Sequence, residues 1–206
     1  RRQRQMCIRD SWWTTDIGGF HGGDPTDPAF QELLARWFQY GAFCPVMRLH
    51  GDRYPTQPQQ GTTGGATCLS GAPNEVWCFG EEDYEICKKY MFLRERLRPY
   101  IKEQMAAAHE KGTPVMRPLF YDFPGDSAAW ACEDAYLFGP SLLVAPVMEA
   151  GQRQRSVYLP AGAQWTHVWS GETYEGGQTV TVAAPLEEIP VFTREKGLLP
   201  LFAEKK

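Results

Sequence analysis

The sequence has no apolar run approaching the roughly 20 residues that cross a bilayer as a helix, and none of the hydrophobic stretch that a secretory leader places after a basic start. A membrane is therefore not an expected partner. The six cysteines, at positions 7, 44, 68, 78, 87 and 132, contain no C-x-x-C pair. No histidine stands at zinc-finger spacing from them, which argues against a metal site. Their irregular spacing also fits no disulfide framework, so the expectation is reduced thiols in a cytoplasmic protein. Charge of one sign is lacking too: 21 Lys and Arg against 25 Asp and Glu leave a net charge of −4, which argues against nucleic acid as a partner. No Ser-His-Asp order, phosphate-cradling loop or metal-ligand cluster is visible, and no cofactor is expected. Internal repeats and low-complexity segments are absent as well.

What is present is an ordinary globular composition, with 43% hydrophobic and 22% charged residues over 206 positions. That length suits one large or two small domains. Seven Trp among 13% aromatics, with 16 Pro and 20 Gly, suggest a loop-rich surface with aromatic-lined clefts.

The first residues, R-R-Q-R-Q-M-C-I-R-D-S, differ in kind from the rest, with Arg1, Arg2, Arg4 and Arg9 and no apolar period. They could form a basic arm. The string also resembles the translated read-through of a transposon-type sequencing adapter. On that reading residues 1–11 are non-native, Trp12 is the first native residue, the gene was cut there and the preceding part of the protein is missing. Met6 and Cys7 then carry no function.

From Trp12 the chain reads as β, α, β, α. Trp12 to Asp16 is aromatic and threonine-rich, which predicts a short strand ended by Gly18 and Gly19. Asp27 before Pro28 is an N-cap followed by proline at the first helical position. Phe30, Leu33, Leu34, Trp37 and Phe38 then mark one apolar helix face, with Gly41 as the candidate C-cap. Residues 42–50, AFCPVMRLH, read as a second strand, close enough for a parallel crossover. Residues 51–75 read as a long loop. A helical pattern from Glu81 to Lys111 should be kinked or divided at Pro99 and stopped by Gly112. After Thr113 come short β-prone runs, VMRPLFYDF, YLFG, SLLVAPV, SVYLP, QWTHVW, QTVTVAA and PVFTRE, which predict an antiparallel sandwich. Two parallel strands with two helices cannot bury both faces of a sheet. They read as the C-terminal quarter of a (β/α)8 barrel. The predicted fold class is thus α/β plus all-β: a barrel end over 12–112 and a β-sandwich over 113–206.

In such barrels the site lies at the C-terminal ends of the strands. Asp16 ends the first strand and His50 the second, one βα unit apart, so both side chains should enter the same mouth. A carboxylate accepts hydrogen bonds and an imidazole can donate and accept, which suits a ring of sugar hydroxyls. Trp12, Trp13 and Phe20 offer flat apolar faces, and Arg48 could position a neighbour or pair with an acid. Asp16 could equally serve only the Gly18-Gly19 turn, and His50 could be a structural histidine. His21 reads as a surface residue, and His109 and His167 as structural.

WWTTDIGGF, RWFQYGAFCPVMRLHG, LRERLRPYI, GTPVMRPLFYDFP and LFGPSLLVAPV together resemble glycoside hydrolase family 31, the α-glucosidase and α-xylosidase family, over nearly all of 12–202. The T-T-D-I-G-G-F form and R-L-H-G are more similar to its bacterial α-xylosidase branch than to the animal α-glucosidases. The resemblance implies a retaining mechanism on an oligosaccharide. One carboxylate attacks the anomeric carbon and a second acts as acid and base about 5–5.5 Å away. In the family both are aspartates on the fourth and sixth barrel strands, whereas this chain is similar to the family only from the seventh strand onward. No catalytic residue is therefore expected here. Asp16 and His50 match the family's substrate-binding aspartate and histidine on strands seven and eight, so the expected substrate-binding set is Asp16, His50, Trp13, Phe20 and Arg48. The sandwich is similar to the family's proximal C-terminal domain, with a supporting role. An α-transglycosylase of the same family and a non-catalytic carbohydrate-binding module remain the alternatives. The sequence does not give the oligomeric state.

Overall fold

A computed structural model describes residues 12–57, 62–63, 66–67 and 70–203, with side chains described outside 56–72. The N-terminal segment 1–11, with Met6 and Cys7, lies outside the described residues, as does Cys68. Cys44, Cys78, Cys87 and Cys132 are free thiols.

Helix α1, Pro28–Ala42, starts as the sequence predicts: the Asp27 side chain accepts a hydrogen bond from the Ala29 amide, with proline at the first position. Leu34, Ala35 and Phe38 are buried and Phe30 and Trp37 partly so, while Leu33 is about half exposed. Gly41 is not the cap. The helix runs one residue further and Phe43 closes it. Gly41 is needed for close approach instead, since a Cβ there would stand 2.6 Å from Ile17 Cδ1.

The two predicted barrel strands are shorter than expected. Trp13 to Asp16 forms no strand, and what remains of the pairing with 42–50 is one parallel bridge, Ile17 with Leu49. Parallel pairing is slightly less stable per residue than antiparallel pairing, and among the described residues this bridge is the pairing the two segments make. The Ile17 amide donates to Arg48 O at 3.1 Å and the Val46 amide to Trp13 O at 3.1 Å, so the crossover order β, α, β is kept.

Residues 51–75 are not a plain loop. Strand β1, Arg53–Gln57, pairs antiparallel with β4, Ser70–Ala72, and between them β2, Thr62–Thr63, pairs with β3, Ala66–Thr67. The helical pattern that follows divides as predicted. Helix α2, Glu81–Arg96, and helix α3, Arg98–Lys111, meet at Leu97, with Pro99 in the first turn of α3. Gly112 adopts φ +67° and caps α3.

The C-terminal part forms a six-stranded antiparallel sheet, in spatial order β10-β9-β12-β7-β6-β5, and a two-stranded sheet β11-β8. The strands are β5 Met116–Arg117, β6 Tyr136–Phe138, β7 Leu142–Val144, β8 Gln154–Leu159, β9 Gln164–His167, β10 Thr173–Glu175, β11 Gln178–Ala183 and β12 Val191–Thr193. One predicted β-run is largely something else. Of 115–123 only Met116–Arg117 is strand, and Leu119–Asp122 turns into a short helix, α4. A further one-and-a-half-turn helix, α5 Ser127–Ala131, is capped by Asp126.

Two cores meet at the larger sheet. On one face Phe138, Leu142, Val144 and Val191 pack with Ile17, Leu34, Phe43, Leu93 and Leu97 from the barrel part. On the other, Leu137, Leu143 and Phe192 pack with Val157, Leu159, Val180 and Val182 of the smaller sheet. Strands β7 and β12 are buried at every residue for that reason, which is why they read as unbroken apolar runs rather than alternating ones. Strands β8 and β11, covered on one side only, do alternate.

Candidate active-site mouth

The Ile17–Leu49 bridge sets the site. In a pleated strand successive side chains face opposite ways. Ile17 points into the core with no exposure, so its neighbour Asp16 points out of it. On the paired segment Arg48 and His50 flank Leu49 and both are exposed. Register therefore puts Asp16, Arg48 and His50 on one side. The Arg48 Nη2 donates to Asp16 Oδ1, with the carboxylate side chain 23% exposed. The acid thus has the basic partner that the sequence leaves open. Asp16 also serves the turn through its backbone, its carbonyl accepting from the Gly19 amide at 2.8 Å.

The aromatic residues divide. Phe20, half exposed, lies 5.3 Å from the ring of His50 and 4.3 Å from that of His21. Trp13 packs edge-on against Tyr40 of α1, 5.7 Å between centroids, and Trp12 is largely exposed. His21 is a surface residue as expected, and its Nδ1 contacts Asp52 Oδ1 at 2.9 Å. That hydrogen bond holds the Asp52 carboxyl below its ordinary range. His109 is exposed on α3, and His167 is buried on β9, bonded through Nδ1 to Ser170 Oγ. Burial pulls the His167 pKa down.

Three residues that sequence reading passed over organise this mouth. Arg53 is 1% exposed and reaches under the Gly-rich loop. Its Nη1 donates to the carbonyls of Gly19, Gly22 and Asp52, and its Nη2 to that of Ile17. Gly18, at φ +81°, has no room for a side chain, since a Cβ would stand 2.5 Å from Arg53 Nη2. Trp37 holds the residue before Asp16, donating from Nε1 to Thr15 Oγ1 at 3.0 Å. Asn74 ties the loop after His50 by donating to Gly51 O at 3.2 Å. An arginine one residue past a loop aspartate carries no sequence sign that it is buried. Among the described residues no group of three His, Cys, Asp or Glu side chains is placed to hold a metal, and no helix is long and apolar enough to cross a membrane.

The family models decide the relationship. Residues 6–104 match the glycosyl hydrolases family 31 TIM-barrel domain, and residues 112–199 match the glycosyl hydrolase family 31 C-terminal domain.

The chain belongs to glycosyl hydrolase family 31.

Among its family 31 relatives, an α-xylosidase of Saccharolobus solfataricus is 36% identical over 94% of this chain and 24% of its own length. Alpha-xylosidase A of Aspergillus niger is 38% identical over 88% of this chain and 26% of its own length. A solved family 31 α-xylosidase from a soil metagenome, complexed with xylose, is 56% identical and superposes with a TM-score of 0.88, covering 96% of this chain and 30% of that one. The chain thus spans about a quarter of the length of these relatives. The fold agrees with the family: the end of a TIM barrel joined to an antiparallel sandwich.

Proposed function

We propose that this chain is part of a retaining α-glycosidase that removes terminal α-xylosyl or α-glucosyl residues from oligosaccharides. In this reading Asp16 and His50 grip hydroxyl groups of the sugar being released, Phe20 and Trp13 offer apolar faces to its C–H side, and Arg48 holds Asp16 in place. The observation that carries it is the contact of Arg48 with Asp16 beside the parallel bridge, with His50 next to the bridge on the same segment as Arg48. The similarity to α-xylosidases, one of them solved with xylose, supports the choice of substrate class.

The division of labour is physical. By family resemblance the reacting pair lies on the fourth and sixth barrel strands, and this chain is similar to the family from the seventh strand onward. Groups supplied here contribute to rate only where their hydrogen bonds tighten as the ring gains oxocarbenium character. A carboxylate and an imidazole placed next to the two ends of the Ile17–Leu49 bridge would meet that requirement with little movement.

The test is a chimera in which residues 12–206 replace the matching part of the soil-metagenome α-xylosidase. It should hydrolyse p-nitrophenyl α-xyloside or α-glucoside, and the isolated 206-residue chain should not. A folded chimera that turns over neither substrate would defeat the reading, as would turnover by the isolated chain.

A further inference from the structure

The loop bearing Phe20 and the loop following His50 are locked together by one side chain. From its place at the start of β1, Arg53 bonds three carbonyls of the first loop, Ile17, Gly19 and Gly22, and one of its own, Asp52. Its guanidinium also lies over the Phe30 ring, 5.3 Å from the centroid. The backbones then close on each other. The Asp52 amide donates to Phe20 O at 3.1 Å and the Tyr54 amide to Gly23 O at 2.9 Å. Gly51, at φ +129°, brings the second loop so near that a Cβ would stand 2.4 Å from Gly19 O. Four carbonyls converge on one buried cation, and the Ile17 carbonyl among them is in a fully buried bond that would be left unmatched if the cation left.

We propose that Arg53 is a positioning residue for glycoside binding: by bonding Ile17, Gly19 and Gly22 it fixes Phe20 and Asp16 against the loop that carries His50, and so sets the width of the sugar cup. This rests on the substrate-binding reading above. Arg53 touches no sugar itself. It acts through His50, whose ring meets Phe20 at 5.3 Å, and through Asp16, one residue before the first carbonyl it bonds.

The experiment is a double-mutant cycle in the chimera described above, read as KM and kcat on p-nitrophenyl α-xyloside or α-glucoside, whichever it cleaves. Arg53→Met should lower kcat/KM on the order of 10–100-fold, mostly through KM, as expected for a displaced binding group. Made on top of His50→Ala, the same change should cost clearly less than it does alone, because one of the groups that it holds in register with Phe20 and Asp16 is already gone. Gly51→Ala, which keeps Arg53 but pushes the loops apart, should reproduce the KM rise. Arg53→Lys, with a single nitrogen in place of the fork, should fall between wild type and Arg53→Met. If Arg53→Met gives no soluble enzyme, Arg53→Lys and Gly51→Ala carry the cycle with His50→Ala. Equal losses in the wild-type and His50→Ala backgrounds, or a fall in melting temperature with KM unchanged, would overturn the proposal and leave Arg53 a structural residue. The failure of the underlying reading looks different: His50→Ala would then leave kcat/KM untouched.

Discussion

Arg48 donates to Asp16 from the residue just before the one that pairs with Ile17, so an exposed cation and a half-buried acid meet across the barrel's parallel bridge. With Arg48 half exposed, the pair adds little to stability. Its effect is on where the carboxylate points. In the chimera, Asp16→Asn should lower kcat/KM by an amount on the order of 2–4 kcal/mol in barrier, since it removes a charged acceptor from the sugar. Arg48→Met should cost less, because the acid remains and only its orientation loosens. Steady-state kinetics of the two variants decide it, and a larger loss for Arg48→Met than for Asp16→Asn would reverse the assignment of roles.

Arg36 on α1 crosses to the C-terminal part. It is 8% exposed, and it donates to the carbonyls of Gln152, Ala184, Pro185 and Glu188 at 2.8–3.1 Å. Burial lowers its pKa from 12.5, with Glu32 nearby working against that. Arg36→Met would leave four carbonyls without their donor. The expected loss is on the order of 3 kcal/mol, read from urea denaturation of the 206-residue chain. An unchanged midpoint would mean that water replaces the guanidinium freely.

Asp83, in the first turn of α2, is 3% exposed and one of its oxygens has no partner. Burial, with Glu82 adding to it, raises its pKa from 3.8 to about 7. Between about pH 4 and 7 the folded chain therefore holds a proton that the unfolded chain has lost. Stability should fall as pH rises through that window and level off above it. The positive end of α2 offsets part of the penalty, so Asp83→Asn should gain on the order of 2 kcal/mol at pH 8 and nothing near pH 4. Denaturation curves at both pH values give the answer, and parallel profiles for wild type and variant would remove Asp83 from the account.

Tyr100 of α3 donates to Phe138 O at the end of β6, at 2.8 Å, and accepts from the Ser141 amide in the turn before β7, at 3.2 Å. Burial pushes its pKa up to about 12, so the hydroxyl keeps its proton across the working range. Tyr100→Phe should destabilise by about 2 kcal/mol by leaving a buried donor and a buried acceptor unmatched. Thermal unfolding of the purified chain tests it, and a shift of less than a degree would contradict it.

Some of this was legible in the sequence. Asp27-Pro28 with the apolar spacing from Phe30 gave α1, and Pro99 placed the break at Leu97, because capping and proline sterics act locally. Gly41 was misread because a cap and a close approach ask for the same residue. The hairpin inside 51–75 and the helical turn at Leu119–Asp122 depend on pairing and packing that composition does not carry. At the site, strand ends and family resemblance singled out Asp16 and His50, and the structure puts Arg48 against Asp16 and Phe20 beside the His50 ring. Arg53 was not singled out, since what distinguishes it is three backbone oxygens, of Ile17, Gly19 and Gly22, brought from more than thirty residues away.

The larger sheet has a further consequence. Helices α1 and α2 and the smaller sheet cover it from opposite sides, so the family-model boundary between residues 104 and 112 does not divide two independently folding bodies. Cutting the chain there would bare Phe138, Leu142 and Val191 to water. Scanning calorimetry of the 206-residue chain should accordingly show one melting peak, and residues 113–206 expressed alone should behave as a sticky half-core, unsuited to life as a free-standing sugar module.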